Sequence, residues 1–183
     1  MAEPTPPKPV LLISAIISRY DDAYAWACEQ LERAFGPIAL RSERFDHEET
    51  TYYEKEMGPH LKKWFVAFAD RRDPAALADW KLATNALEAD FAALGRFPEP
   101  RPLNLDPGYL TEAKLVLATT KDRDHRLYLR DGIYAEVTLR YQGGAWRTHP
   151  WTYPDYQRSD FHAFFMQCRD FLRSQDRFPP SPK

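Results

Sequence analysis

Charged and aromatic side chains concentrate in residues 125–140, whose sequence is HRLYLRDGIYAEVTLR. Arg126 can pair with Glu136 across a hairpin, and Tyr128 can face Tyr134. Because a guanidinium group suits phosphate and carboxylate, this polar surface could form the floor of a site for an anion. It could also be an exposed sheet surface with one structural ion pair, and these four residues alone favour that simpler interpretation.

The expected ligand is a small anionic molecule that is phosphorylated or nucleotide-like. Its charge would be neutralised by three cationic side chains, which are Arg126, Lys114 and Lys121. Tyrosine rings would form stacking walls beside it, and the expected rings are Tyr128, Tyr134 and Tyr109. This is the first of three functional hypotheses. The cofactor, if there is one, is not identified by the sequence.

If the site catalyses a reaction, His125 is the expected acid or base, because an imidazole titrates near neutral pH. Glu136 or Asp106 would orient the imidazole or hold a metal. Alternation along a strand points His125 toward the Leu127 side, away from Glu136. The role therefore requires that the strand begin after His125.

A second group of polar residues lies on the predicted long helix. Lys81, Asn85 and Glu88 follow the spacing i, i+4, i+7, which makes them neighbours on one flank. They could be ordinary surface charges. Alternatively, this flank meets the segment 104–109, which includes Asn104 and Asp106, and lines a pocket with it.

The acidic segment 46–56 contains side chains that could hold Mg²⁺ or Mn²⁺. They are Asp46, His47, Glu48, Glu49, Glu54 and Glu56. A metal-dependent hydrolase or transferase is therefore one alternative hypothesis. No known ligand spacing occurs here, however, and a solvated acidic loop is the simpler interpretation. We assign no metal ligand.

The other alternative is a non-enzymatic module that binds a partner protein. Residues 146–156, WRTHPWTYPDY, are rich in aromatic side chains of the kind that anchor interfaces. Trp146 and Trp151 could instead cap the core of the protein, and we regard this as the simpler interpretation.

Several nucleotide and hydrolase motifs are absent: G-x-x-x-x-G-K-[ST], G-x-S-x-G, H-E-x-x-H and G-x-G-x-x-G. The segment LVLATTKDRD is similar to the Thr-Lys-x-Asp loop of GTPases, but Arg123 stands where a carboxylate is needed. The sequence therefore argues against a P-loop nucleotidase and against a guanine site of this kind.

The net charge of −2 and a pI near 6.2 indicate no nucleic-acid partner, which would need a basic patch. Cys28 and Cys168 lie in apolar helical patterns and are expected to be buried reduced thiols. The apolar run 11–17 is too short to cross a bilayer. We expect a soluble cytoplasmic protein without a membrane partner.

Asp131-Gly132 between two alternating runs predicts a hairpin. A two-residue loop would pair Arg130 with Ile133 and mix charge with apolar residues. We prefer a three-residue loop, 130–132, which pairs Leu129 with Ile133 and needs Gly132 in the left-handed conformation. This register predicts one apolar face, composed of Leu127, Leu129, Ile133, Ala135, Val137 and Leu139.

The apolar patterns predict a buried central strand at 10–18, further strands near 38–46 and 61–69, and a turn at Asp106-Pro107-Gly108. They also predict helices near 21–35, 74–94 and 161–172. The fold class is α+β: a mixed or antiparallel sheet with a ferredoxin-like N-terminal part, extended by a β-meander and a C-terminal helix. We expect one domain, 1–183, with an ordered core at about 8–176 between proline-rich tails.

Four phrases of the sequence resemble a prokaryotic family known as domain of unknown function 4416: TTYYEKEMG, LNLDPGYLTEAKLVLATTKDRDHRLYL, DGIYAEVTL and WTYPDY. The resemblance covers about residues 8–175 and implies a bacterial source, but no mechanism. It adds Tyr53 and Glu56 to the expected ligand-binding residues. It also implies that certain polar positions recur in the family: Lys81, Asn104, Asp106, Tyr109, Lys114, Lys121, His125, Arg126, Tyr128, Glu136 and Asp155.

Overall fold

The computed structural model describes residues 3–47 and 54–177, which contain a sheet of nine strands with helices on both faces. The strands are β1 (Val10–Ser18), β2 (Ile38–Arg41), β3 (Phe45–Asp46), β4 (Lys62–Arg72), β5 (Asn104–Leu110), β6 (Lys114–Thr119), β7 (Leu127–Arg130), β8 (Ile133–Gln142) and β9 (Ala145–Thr148). The helices are α1 (Asp21–Phe35), α2 (Glu54–Met57), α3 (Leu77–Ala93) and α4 (Ser159–Arg177), with 3₁₀ turns at Pro74–Ala76 and Asp155–Gln157.

Two interlocked β-α-β units form the first half of the sheet. β4 lies between β1 and β2, β1 lies between β4 and β5, and all these neighbours are antiparallel. The order β2-β4-β1-β5 is that of a ferredoxin-like fold, which confirms the predicted fold class. β6, β8 and β7 extend the sheet beyond β5, and β3 and β9 pair with β4 and β8.

Helices pack on both faces of this sheet. α1 and α3 cover one face, where Leu12, Ile16 and Phe68 lie in the core. α4 covers the other face, where Phe65 and Leu115 are buried. Both layers are needed because β1 is buried along its whole length. Among the described residues, no helix is long and apolar enough to cross a membrane.

The predicted turn at Asp106-Pro107-Gly108 is wrong, because these residues lie inside β5. They pair with β1 throughout, whereas pairing with β6 begins only at Gly108. Pro107 cannot donate a hydrogen bond to a ladder and stands where that pairing ends. A Cβ on Gly108 would lie 2.3 Å from the carbonyl oxygen of Val116, so only glycine lets the strands meet here. Toward Asn104 the two strands separate.

The hairpin forms as predicted, but its loop has two residues. Arg130 pairs with Ile133, and Asp131 and Gly132 both have positive φ, of 55° and 74°, which is the pattern of a type I′ turn. A bulge at Leu129 leaves this residue unpaired and shifts the register by one. Tyr128 therefore faces Tyr134, which is the pairing that the three-residue loop predicted. The predicted pairing of Leu129 with Ile133 is therefore wrong.

The predicted apolar face of the hairpin is also only partly correct. Ile133 and Val137 pack on the α1–α3 side, but an irregularity in the pairing of β6 with β8 turns Leu139 to the α4 side. Leu127 and Leu129 lie on the edge strand β7, and their exposed fractions are 74% and 39%. Register was inferred from apolar alternation, and the bulges interrupt that alternation.

The predicted strand near 38–46 is two short strands, β2 and β3, both of which pair with β4. Both free cysteines, Cys28 and Cys168, are buried, as predicted.

Candidate functional site

A cavity of about 380 Å³ opens where β5 and β6 separate. Its volume suits a small molecule. The polar and charged residues that line it come from β4, α3, β5, the end of β6 and the segments on either side of the hairpin. They are His47, Lys63, Lys81, Arg101, Asn104, Asp106, Thr119, Thr120, Lys121, Arg123, Arg126, Tyr153, Asp155 and Tyr156.

Asp106 forms one corner of the cavity, and 26% of its side chain is exposed. Its Oδ1 lies 3.2 Å from Lys81 Nζ, and Asn104 donates to its Oδ2 at 2.7 Å. Burial would raise the pKa of the Asp106 carboxyl, but the positive charges of Lys81 and Lys63 outweigh burial and lower it. Asp106 is therefore an ionised acceptor that faces the cavity.

Glu88 supports this corner from behind. It accepts hydrogen bonds from the Leu105 backbone N–H at 2.8 Å and from Arg101 Nη2 at 2.9 Å. Lys81 Nζ donates to the Leu105 carbonyl at 2.8 Å and lies 3.9 Å from Glu88. Burial raises the pKa of the Glu88 carboxyl, against the charges of Lys81 and Arg101. The predicted meeting of the α3 flank with segment 104–109 is thus confirmed for Lys81 and Glu88.

The opposite wall carries a buried lysine that the sequence analysis missed. Lys63 Nζ lies 2.5 Å from Asp155 Oδ2 and 4.3 Å from the centre of the Tyr156 ring. His47 Nδ1 lies 3.6 Å from the same carboxylate oxygen. The signal for Lys63 was present in β4, since Lys63 lies two and four positions before Phe65 and Ala67 and so shares their buried face.

Arg126 closes the cavity on the hairpin side. Its Nε donates to Glu136 Oε2 at 2.8 Å, its Nη1 to the Lys121 carbonyl at 2.8 Å and its Nη2 to the Tyr153 hydroxyl at 2.6 Å. Glu136 also accepts from Thr138. Burial and the charge of Glu136 raise the pKa of the Tyr153 hydroxyl. The predicted pairing of Arg126 with Glu136 is therefore present.

His125 lies beside this pair but does not line the cavity. Because β7 begins at Leu127, His125 is outside the strand and its Nε2 reaches to 3.3 Å from Glu136. Its Nδ1 lies 3.1 Å from Asp124, and its ring stacks on Trp151 with a centroid distance of 5.3 Å. The late strand start that the catalytic hypothesis required is present. The catalytic role itself stays a prediction.

The structure does not bring every predicted residue to the cavity. Lys114 begins β6, at the opposite end of that strand from Thr119. Tyr109 packs on the α1–α3 side. Tyr128 and Tyr134 meet edge to face on the outer hairpin. All four residues lie on strands, but none of them lines the cavity.

Two further predicted residues belong to segment 46–56, of which residues 48–53 are outside the described ranges. Glu56 lies 3.6 Å from Arg101 Nη1. Tyr53 lies outside the described residues, as do Glu48 and Glu49. Within ranges 3–47 and 54–177, no group of three or more His, Cys, Asp or Glu side chains is placed to hold a metal ion. The metal hypothesis for segment 46–56 stays a prediction.

The aromatic segment of the interaction hypothesis divides between core and surface. Trp146 is buried under α4, which fits the simpler interpretation. Trp151 is 39% exposed, stacks on His149 as well as His125, and donates from Nε1 to the Val137 carbonyl at 3.0 Å. Partner binding there stays a prediction.

The cavity lining is strongly cationic. Among the described residues, six positive side chains line the cavity, against the two carboxylates of Asp106 and Asp155: Lys63, Lys81, Arg101, Lys121, Arg123 and Arg126. Behind the lining, Glu88 pairs with Arg101 and Glu136 pairs with Arg126. The whole chain, by contrast, carries a formal net charge of −2. Such a concentration of positive charge in a concave, partly desolvated space attracts anions.

The chain matches the family described as domain of unknown function (DUF4416) over residues 8–171, and it belongs to that family. No curated protein and no solved structure matches it.

Proposed function

We propose that this member of the family binds a small anionic molecule in the cavity between β5 and β6. The observation that carries the proposal is the charge of the described lining residues, six cations against two carboxylates in a chain of net charge −2. A site of this sign and volume suits a phosphorylated or carboxylated metabolite. The buried free thiols of Cys28 and Cys168 support the cytoplasm as its compartment.

Not all six cations have the same part in this proposal. The side chains of Lys63, Lys81 and Arg126 are buried and pair with carboxylates of the protein, so their charges are largely balanced. Lys121 and Arg123 are exposed and follow the end of β6. They are the side chains best situated to meet an incoming anion, together with the hydroxyls of Thr119 and Thr120 in the lining.

The experiment compares two lysines near opposite ends of β6. Lys121→Glu reverses a charge at the cavity, whereas Lys114→Glu makes the same change at the far end of β6, about 20 Å away. Calorimetric titration at low ionic strength with inorganic phosphate, ribose 5-phosphate and citrate measures binding. We expect at least one anion to bind and Lys121→Glu to weaken it at least about tenfold.

The control variant Lys114→Glu should stay within about twofold of the wild type, since charges farther apart than a Debye length are largely screened. If none of the three anions binds, or if both variants weaken binding equally, the proposed site is wrong.

A further inference from the structure

We propose that the cavity selects a phosphorylated sugar or polyol, a molecule with a phosphate at one end and neutral hydroxyl groups at the other. This inference rests on the proposed function and names its substrate class. It is carried by the separation of two kinds of side chain within one cavity: an acceptor corner at Asp106 and a cationic rim after β6.

The acceptor corner is unsuited to a phosphate. Asp106 faces the cavity and is ionised, so it repels a second anion and can only accept hydrogen bonds. Its contacts with Lys81 and Asn104 use one position on each oxygen, while a carboxylate offers about four. A ligand hydroxyl can therefore donate to Asp106 on the cavity side.

An ammonium group is a poorer match for the same corner. The charge of Asp106 is already balanced by Lys81, whose Nζ lies 3.2 Å away. The positive charge of Lys63 also lowers the pKa of the Asp106 carboxyl. A ligand amine would meet these two ammonium groups in a lining that is cationic overall. Neutral donors satisfy the carboxylate without this repulsion.

The phosphate belongs at the rim. Lys81 donates to the Leu105 carbonyl and to Asp106, Lys63 pairs with Asp155, and their side chains are at most 5% exposed. Lys121 and Arg123 are exposed instead, and they follow Thr119 and Thr120 in the lining. Two cations beside two hydroxyls provide charge and hydrogen bonds for phosphate oxygens.

Within ranges 3–47 and 54–177, the cavity offers a nucleobase little aromatic surface on which to stack. Among the residues that the structure describes, the aromatic rings in the lining are those of His47, Tyr153 and Tyr156, and the His47 side chain is only 3% exposed. Tyr156 is only 3% exposed and packs against Lys63, while the Tyr153 ring lies 6.1 Å from Tyr156 and 5.9 Å from the Arg126 guanidinium. The tyrosines that the sequence assigned to stacking lie outside the lining. The geometry thus favours a sugar phosphate over a nucleotide.

Calorimetric titrations with ribose 5-phosphate, inorganic phosphate, AMP and ribose test the inference. We expect ribose 5-phosphate to bind at least about tenfold more tightly than inorganic phosphate, and ribose not to bind detectably. AMP should bind no more tightly than ribose 5-phosphate. Asp106→Asn should weaken ribose 5-phosphate about tenfold, yet leave inorganic phosphate as strong as before or stronger, because a negative charge is lost.

Asp106→Asn leaves Lys81 without its carboxylate and could unfold the protein, which thermal unfolding detects. In that case the Asp106→Asn/Lys81→Met variant removes both charges and serves in its place. If inorganic phosphate equals ribose 5-phosphate, if AMP exceeds it, or if either Asp106 variant affects both phosphates alike, the inference is wrong while the anion site stands. If no phosphate compound binds the wild type, the inference is wrong, and the proposed function stands only if citrate binds.

Discussion

Arg126 makes the contact that the sequence predicted, and two further contacts that it did not. The hairpin pattern predicted that it would face Glu136, and it does, but its guanidinium also donates to Lys121 and Tyr153. Its side chain is 5% exposed and that of Glu136 is 0% exposed. Such a buried pair fixes the segment 121–126 against β8. Arg126 therefore positions the cavity wall, and its predicted contact with a ligand stays a prediction.

Removing the Arg126 side chain should destabilise the protein, because it leaves the buried charge of Glu136 without this partner. We expect Arg126→Ala to lower the free energy of unfolding by about 3–5 kcal/mol. Arg126→Ala/Glu136→Gln removes the stranded charge too, and it should recover enough stability to give a coupling energy of at least about 1 kcal/mol. Urea denaturation of the wild type, the two single variants and the double variant measures both values.

The exposed pair of Arg130 and Asp79 is the matched control for this cycle, since its side chains are 44% and 60% exposed. Its coupling energy should be smaller than that of the buried pair, at about 0–1 kcal/mol. Equal coupling in the two cycles would contradict the account of Arg126.

At the scale of elements, the junction of β5 and β6 creates the cavity. The segment Asp106-Pro107-Gly108 has the composition of a turn, and local propensity alone gives that prediction. It is overridden because β1 pairs with it from Asn104 to Leu110. Pairing with β6 covers only the last three residues of the strand: it stops before Pro107, which has no N–H to donate, and Gly108 permits the close approach. Tertiary pairing of this kind cannot be read from a local pattern.

Gly108→Ala tests this junction. The new Cβ would meet the backbone oxygen of Val116 at 2.3 Å, and backbone cannot give way as a flexible side chain does. We expect a loss at or above the upper end of the roughly 1–3 kcal/mol that overpacking costs. Gly95→Ala is the control: Gly95 has a φ of 63° but open space around its Cβ position, so it should lose only about 1–2 kcal/mol. Thermal unfolding compares the two, and equal losses would contradict a tight junction.

At the scale of the molecule, the sequence predicted the sheet, its ferredoxin-like half and the C-terminal helix, because apolar periodicity specifies each of them locally. It did not predict where the sheet opens. Asp106, Lys81 and Arg126 were found as candidates because they are polar residues in patterned segments. Lys63 and Asp155 meet over a separation of 92 positions, and no local pattern links them. The sequence analysis therefore centred its predicted site on the hairpin face, which lies beside the cavity.

Mapping a bound phosphate ester by amide chemical shifts tests the central claim most directly. On titration with ribose 5-phosphate, we expect the largest shifts at residues 104–106 and 119–123, and little change at Lys114 or along β7. This result would locate an anion between the separating strands. Shifts centred on Tyr128 and Tyr134, or spread evenly over the surface, would contradict it.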